Sequence, residues 1–585
     1  MSNANSLIPD STIEFLLFDW LDTHTLFERP QFASHSRDTV EAIIELTTQV
    51  ANEEFLSHYK KSDQIEPSLE DGRVKVLPEI SRALSKYAEL GFFAASFPEE
   101  SGGMSLPEVV SAASFAQFAA ANIATAAYPM LTRANARLIT KFGTERQIQA
   151  FAEPQVEGRW FGTMCLSETQ AGSSLADIRS RAVADGEDVY GARYRLTGNK
   201  MWISGGDQDI SENIVHLVLA KIPNADSKLP SGTNGLSLFI VPKVLPDGMM
   251  NDIAIAGINH KMGYRGTANC LLNLGEREGA IGWRVGQPRE GLRQMFQMMN
   301  DARIYVGLGA AALAMRGFSL SKSYASERLQ GRAQGIRDGA QIAIIEHPDV
   351  KRMLLQQKVY AEGSLALCLY CAHLVDTNDS PDSDVLLGFL TPVAKTWSSE
   401  YGLLANDLAI QIHGGYGYTR DFDVEQLYRD NRLNAIHEGT TGIQAIDFLG
   451  RKILRDSGHA FEIWCARVNE TCSHADASCE LSDNASVLRN TINELRAVVG
   501  VLKTTESGAL DNATVFLRAV GHIVISWIWL DLACAAQRVE SQEFGNGIGR
   551  ACRFFFESEL PIAHVWLKEV VSLTDVASAS VANEL

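Results

Sequence analysis

The sequence predicts a mainly α fold with a central β-domain. Its order is an N-terminal helical domain (residues 1–159), an antiparallel middle β-domain (160–289), a helical bundle (290–455) and an additional C-terminal helical domain (456–585). Three observations carry this. Apolar residues recur at helical spacing from Ser6 to Tyr128 and again beyond Gly291, whereas between Trp160 and Trp283 they gather into short β-rich runs. At 585 residues the chain is also too long for one core, and the length prior gives about three or four domains.

In the N-terminal region the polar stretch Lys60 to Gly72 and the turn Pro98 to Met104 interrupt the helical pattern. Ile214 to Ala220 (IVHLVLA), Leu236 to Val241 (LSLFIV) and Cys270 to Leu274 read as strands. Thr197-Gly198-Asn199 fits a hairpin turn between Tyr194–Leu196 and Met201–Ile203. A long helix is expected from Gly291 to Arg328, then a polar loop from Leu329 to Asp338. Further helices are expected around Asp349 to Val375, around Leu386 to Ile412 and from near Gln444, together forming a bundle. The polar segment Asn469 to Ser486 reads as a linker, and helical patterns resume from Val487 to Leu573.

The net charge of −19 argues against nucleic acid or an anionic membrane surface as a partner. No apolar run approaches the roughly 20 residues that span a bilayer, so no transmembrane segment is expected. Asp10, Glu14, Asp19 and Asp22 precede any basic residue, which suits neither a secretory signal nor an Arg-rich transit peptide. A cytoplasmic protein is the simplest expectation.

Nine cysteines scattered over the chain fit reduced thiols better than a disulfide framework. Cys368 and Cys371 form a CxxC inside an apolar helical run and read as two core residues one turn apart. Cys465, Cys472 and Cys479 recur every seven residues, unlike the two-to-four-residue pairs of zinc sites, so no metal is expected. Gly307-Leu308-Gly309-Ala310-Ala311-Ala312 fits a dinucleotide fingerprint, yet it follows no strand and lies inside a helical pattern. Close helix packing, or room for an acyl chain, explains it better than a nicotinamide site.

The chemistry concentrates between Gln411 and Gln444, QIHGGYGYTRDFDVEQLYRDNRLNAIHEGTTGIQ. Gly414 and Gly415 let backbone approach a ligand, Glu438 is a candidate base, and Gly439 leaves room beside it. The segment resembles the C-terminal signature of acyl-CoA dehydrogenases, flavoenzymes that oxidise acyl-CoA thioesters to trans-2-enoyl-CoA. Four more segments match in order. LSETQAGSS (Leu166 to Ser174) resembles the family's flavin loop, KMWISGG (Lys200 to Gly206) its Trp-Ile-Thr/Ser turn, Asn300 to Arg303 the start of its substrate-lining helix, and YASERLQGR around Arg328 its dinucleotide arginine segment. The match covers roughly residues 80 to 455, and five ordered motifs are far more specific than one.

This resemblance implies FAD as cofactor, an acyl-CoA substrate, electron-transfer flavoprotein as electron acceptor, and a homodimer, because the C-terminal tail resembles that of the family's larger members. Glu438 would be the catalytic base, with the Gly439 N–H holding the thioester oxygen. The flavin would contact Met164, Leu166, Ser167, Gly172, Ser173, Trp202, Ile203, Ser204, Thr440 and Gly442. Arg328, Gln411, Gly414 and Gly415 would bind the dinucleotide across a dimer interface. Ser173, Asn300, Arg303 and Gly439 would face acyl-CoA, and His437 would shape the pocket. The chain departs from the family pattern at Thr169-Gln170, where Pro-Gly is usual, at Asn300, where an acid is usual, and at His347-Pro348, which matches half of a His-Gln pair. An oxygen-using acyl-CoA oxidase shares the same base and flavin, and a non-dehydrogenating, nucleic-acid-associated relative is disfavoured by Glu438 and the absence of a basic tail. The large architecture resembles both long-chain enzymes and 3-methylthiopropanoyl-CoA dehydrogenases.

Overall fold

The computed structural model describes residues 7–456, 458–505, 508–572 and 576–582. The chain forms two compact units, one from Arg37–Pro107 and Gln117–Ala302, the other from Met1–Ser36, Glu108–Ala116 and Arg303–Leu585.

The first unit joins helices to a β-domain. Helix α1 (Arg37–Val50) is followed by a small hairpin, β1 (Ser68–Glu70) and β2 (Arg73–Lys75), then by α2 (Pro78–Glu89) and most of α3 (Glu108–Phe142). That hairpin sits where the sequence reading saw only a polar interruption. Its turn is Asp71-Gly72, both at positive φ (49° and 76°), the geometry an Asp-Gly pair favours.

Strands β3 (Trp160–Cys165), β4 (Arg181–Asp188), β5 (Gly191–Ser204), β6 (Asn213–Lys221), β7 (Leu236–Pro242), β8 (Ile253–Ile258), β9 (Asn269–Leu274) and β10 (Ala280–Arg284) form one sheet. Because β10 pairs with both β7 and β5, the sheet closes on itself. The three expected strands are present as β6, β7 and β9. Every residue of β6 and β7 is buried, as their unbroken apolar runs require. Pairing is antiparallel except that β3 runs parallel to β6, as does the single β4–β6 pair Arg181↔Lys221.

The expected hairpin at Thr197-Gly198-Asn199 does not form. Residues 191–204 make one continuous strand that pairs with β4 and β10 in its first half and with β9 in its second. Gly198 adopts φ 145°, and a Cβ there would lie 2.5 Å from Ser180 Oγ. The glycine therefore marks a close crossing, not a reversal.

Helix α4 (Gly291–Glu327) contributes to both units. In the second unit it is followed by α5 (Pro348–Asp376), α6 (Pro381–His413), α7 (Val424–Asn431) and α8 (Thr441–Asp447). The C-terminal helices are α9 (His459–Ala475), α10 (Ser482–Thr504), α11 (Ala513–Ala536), α12 (Gln542–Phe554) and α13 (Pro561–Val571). Helix α7 went unrecognised in the sequence, and the expected linker Asn469 to Ser486 shrinks to 476–481, since α9 runs to Ala475. Val468, Thr471, Cys472 and Ala475 face inward there, so the polarity belongs only to the outer side of the helix. Residues near the N-terminus pack on the C-terminal helices: Trp20 Nε1 donates to Asp531 at 2.8 Å, and Phe15 meets Phe544 at 5.2 Å between ring centres.

Cys368 and Cys371 are buried in α5, and Cys465 and Cys472 share the inner face of α9, which accounts for their seven-residue spacing. All nine cysteines are free thiols. Among the described residues, no group of three or more His, Cys, Asp or Glu is arranged to hold a metal ion.

Contrary to the expectation that no apolar stretch approaches bilayer length, α3, α4 and α11 are long and apolar enough to cross a membrane by length and composition. A search for unbroken runs misses them because Ala, Gly, Ser and occasional polar residues dilute the apolar ones. Their most apolar windows are 94%, 83% and 89% buried inside the protein.

Gly307 of α4 bears out the packing reading of the glycine-rich fingerprint: a Cβ there would lie 2.6 Å from the Ala394 carbonyl of α6. Gly307→Val is expected to destabilise the protein by about 1–3 kcal/mol through overpacking, read as a lower denaturation midpoint in urea; an unchanged midpoint would remove this contact as a constraint.

Candidate active site

Glu438 and Gly439 form the turn that leads into α8. Both lie at positive φ, 54° and 93°. A glutamate in the left-handed region is strained by about 1–3 kcal/mol and persists only where its surroundings over-determine it. Here the two carbonyls of the turn are both held. Lys395 Nζ, fully buried on α6, donates to the Gly439 carbonyl at 2.8 Å, and Gln444 Nε2 of α8 donates to the Glu438 carbonyl at 2.9 Å. The φ of 93° favours glycine at 439, and a Cβ there would have to displace that Gln444 amide, 2.7 Å away, from the Glu438 carbonyl it holds.

Burial raises the Glu438 carboxyl above the ordinary carboxylate range, while the Arg303 and Lys395 cations oppose it. Burial conversely lowers Lys395 to about 8, with Glu438 pulling it up. Arg303 is 3% exposed, its guanidinium 3.8 Å from Asp447. Arg303, expected at the acyl-CoA mouth, also sets its charge where it acts on Glu438. His437 is brought down to about 3 by burial and by Lys395, so its imidazole is neutral at physiological pH, paired with Asn434 at 3.1 Å.

In the other unit, the loop from Leu166 and the strand segment from Lys200 come together. The Met201 N–H donates to the Ser167 carbonyl at 3.0 Å, and Lys200 Nζ donates to the Leu166 and Leu219 carbonyls at 3.0 and 2.8 Å. Lys200 is fully buried and 3.0 Å from Glu168, whose carboxylate also accepts from Ser180 Oγ at 2.6 Å and the Arg179 N–H at 2.8 Å. Burial alone would raise Glu168, but the Lys200 ammonium and these donors bring it down to about 2. Reciprocal bonds between the backbones of Glu168 and Ala171 close a tight turn around Thr169-Gln170, so the loop keeps its turn without the usual Pro-Gly.

Immediately after Lys200 the pairing with β9 slips between Lys200 and Ile203, and Trp202 adopts φ 66°. This bulge interrupts the inside–outside alternation: Lys200 and Ile203 point inward, and Trp202 is turned out, 60% exposed. Ser204 Oγ accepts from Asn269 at 3.2 Å. Gly172 and Ser173 are exposed, whereas Met164, Leu166 and Ser167 are half-buried.

The chain matches the models of the acyl-CoA dehydrogenase N-terminal domain (residues 38–159), middle domain (163–275) and C-terminal domain (289–454), and of the acetyl-CoA dehydrogenase C-terminal-like domain (464–579). A 3-methylmercaptopropionyl-CoA dehydrogenase of Ruegeria pomeroyi is 34% identical over 523 residues, 86% of this chain and 85% of its own. This chain belongs to the acyl-CoA dehydrogenase family. The broad-specificity linear acyl-CoA dehydrogenase FadE5 of Mycobacterium tuberculosis is 30% identical over 98% of this chain and 96% of its own. ACDH-11 of Caenorhabditis elegans, solved with C11-CoA, shares the fold, with a TM-score of 0.80 over 96% of this chain and 94% of its own at 20% identity. As an acyl-CoA dehydrogenase, the protein is an FAD-dependent oxidoreductase acting on CH–CH groups.

The remaining motif residues of this acyl-CoA dehydrogenase lie at the ends of α4 and α6. Arg328 is exposed, 6.0 Å from the Tyr416 ring centre, and Gln411, Gly414 and Gly415 are exposed too. Gly414 (φ 61°) and Gly415 have no atom within 4 Å of where a Cβ would stand. Thr440 precedes α8, and Gly442 on its first turn is likewise open. Asn300 is half-buried on α4, and Ile203 is buried, only 2% exposed. His347 donates to the Gln330 carbonyl at 2.8 Å and so braces the loop after Arg328.

Sequence reasoning passed over Glu168, Lys200, Lys395 and Gln444 as individuals. The signal was available for Lys395, a lone cation in the apolar run around Leu390 to Trp397, because a lysine is almost never fully buried without a partner. Lys200→Met is expected to leave Glu168 buried and unpaired, at a cost of about 3–5 kcal/mol, with part recovered by adding Glu168→Gln. Glu168 titrates lower when folded, so its contribution is present above its ordinary pKa and lost as pH falls towards 2. Thermal melts across that range should show this acid sensitivity in the native protein and its reduction in the double variant.

Proposed function

We propose that the protein removes the α proton of an acyl-CoA thioester with the Glu438 carboxylate and yields trans-2-enoyl-CoA, passing electrons on to electron-transfer flavoprotein. The observation that carries this is the Glu438–Gly439 turn: a carboxyl raised by burial on a strained, doubly held backbone. A base matched to neutral pH is typically worth about 10²–10⁴ in rate. The Gly439 N–H would polarise the thioester carbonyl, and Asn300 and Arg303 belong to the acyl-CoA side of the site.

The residues present suit FAD. Trp202 offers an outturned aromatic plane, Ser167 and Ser204 offer hydroxyls, and Arg328 with the open Gly414-Gly415 backbone offers an anion-binding edge. When bound, FAD supplies the two-electron hydride acceptor that no side chain provides. Met164, Leu166, Gly172, Ser173, Ile203, Gln411, Thr440 and Gly442 complete the proposed cofactor set. The exposure of Arg328, Tyr416 and Gln411 supports a homodimer in which they serve the partner's dinucleotide. A second reading of the substrate, 3-methylmercaptopropionyl-CoA with the same chemistry, is favoured by the 34% identity to the Ruegeria pomeroyi enzyme.

Glu438→Gln should keep the bound flavin and acyl-CoA affinity but lower turnover by about 10²–10⁴, as loss of a general base requires; substantial residual activity would take the residue out of this role. Anaerobic addition of short, medium and long acyl-CoAs and of the methylmercapto thioester should bleach the flavin with one of them, whereas a flavin that none reduces would count against the reaction. The acid limb of kcat/KM should lie above the ordinary carboxylate range. Lys395→Met should move it higher still, since the ammonium opposes the rise.

A further inference from the structure

The C-terminal helices are linked to α8, the helix that the Glu438 turn leads into. Helix α11, inside the segment matched by the acetyl-CoA dehydrogenase C-terminal-like model, places Phe516 6.0 Å from Phe448, which directly follows α8. Two residues on, Arg518 Nε donates to Glu400 Oε2 at 3.1 Å. The other oxygen of Glu400, on α6, accepts the Thr441 hydroxyl at 2.9 Å. Thr441 is the first residue of α8 and lies three positions after Glu438. One carboxylate thus bonds both to the C-terminal helix and to the first turn of α8.

We infer that Arg518, acting through Glu400 and Thr441, is a positioning residue for the Glu438 turn, so that the C-terminal helical extension takes part in setting the catalytic geometry. Three side chains then hold the turn at three successive levels: Gln444 at the Glu438 carbonyl, Lys395 at the Gly439 carbonyl, and Glu400 at the Thr441 hydroxyl. Glu400 and Lys395 stand five residues apart on the same helix, and the Glu400 charge also bears on Lys395. Lys395 and Gln444 hold carbonyls from inside the bundle. Arg518 stands on the partly exposed side, its side chain 44% accessible and that of Glu400 19%, so it can be changed without opening the core.

This inference rests on the reading of Glu438 as the base, and the test separates the two. In the full-length flavin-loaded enzyme, Arg518→Met and Thr441→Val should each lower kcat about threefold to fivefold, as expected for a weakly coupled surface ion pair and a single hydrogen bond, with KM for acyl-CoA, flavin content and melting temperature little changed. The double variant should lose no more than the worse single variant, because both break one linkage. Arg518→Lys and Thr441→Ser should restore most of the rate. Independent, multiplying losses in the double variant, a kcat unchanged by either substitution, or a fall in kcat that tracks loss of folded protein would overturn the positioning role. Glu438→Gln, measured alongside, reports on the base itself. If it leaves turnover intact, the base reading fails; if it abolishes turnover while Arg518→Met does nothing, only the inference drawn from the C-terminal helix fails.

Discussion

The left-handed turn at Glu438-Gly439 is the constraint on which the candidate active site depends. A non-glycine residue held at φ 54° stores about 1–3 kcal/mol of strain, and an isolated loop would relax it. The two carbonyls that flank this conformation each receive a side-chain donor from a helix, and Thr441 starts α8 at once, so the carboxyl is presented by a backbone with no room to rotate. The surrounding bundle has to be rigid for this to hold. Gly402 and Gly307, where a Cβ would press on the carbonyls of Ala310 and Ala394, bring α4 and α6 to close approach around the site.

Two buried lysines illustrate how one device serves two ends. Lys200 and Lys395 each donate to backbone carbonyls and so anchor a functional loop. Lys200 also meets Glu168 at 3.0 Å, and that carboxylate is saturated with donors and held well below the usual carboxylate range. That pair is closed and inert. Around Lys395 the balance is different: burial pushes Glu438 up and the ammonium down, so both groups move towards their neutral forms. Opposed shifts in neighbouring groups are the arrangement acid–base chemistry needs near neutral pH, and they set Glu438 apart from the donor-saturated Glu168.

Much of the architecture was legible because it follows from periodicity. The unbroken apolar runs of β6 and β7, the long helices α4, α5 and α6, and the core positions of Cys368 and Cys371 all reflect local patterns. The failures share a cause. Gly198 reads as a turn and serves as a crossing because tertiary contact with Ser180 decides its role. Asn469 to Ala475 reads as a linker because polarity was averaged over a helix whose inner face is apolar. At the site, Glu438 was legible from its motif, but Lys395, Gln444 and Glu400 act through backbone carbonyls and a hydroxyl 6 to 44 residues away in sequence, distances at which no pattern announces a partner.

Departures from local rules narrow the candidate positions further than the rules themselves. Among the described residues eight non-glycines lie at positive φ, and of these Asp22, Asp71, Ser105 and Ser227 are small polar residues of the kind turns favour. Trp202, Tyr264, Arg289 and Glu438 are not; a bulky side chain gains nothing locally from that conformation, and two of these four fall in the motif segments. At Trp202 the bulge is the only way for a strand to keep Lys200 and Ile203 in the core while turning the intervening indole outward. At Glu438 the same backbone inversion aims a carboxyl that burial has made basic. Strain at both places is sustained by packing elsewhere, which is why the donors that hold these segments, and not the motif residues alone, set what the site can do.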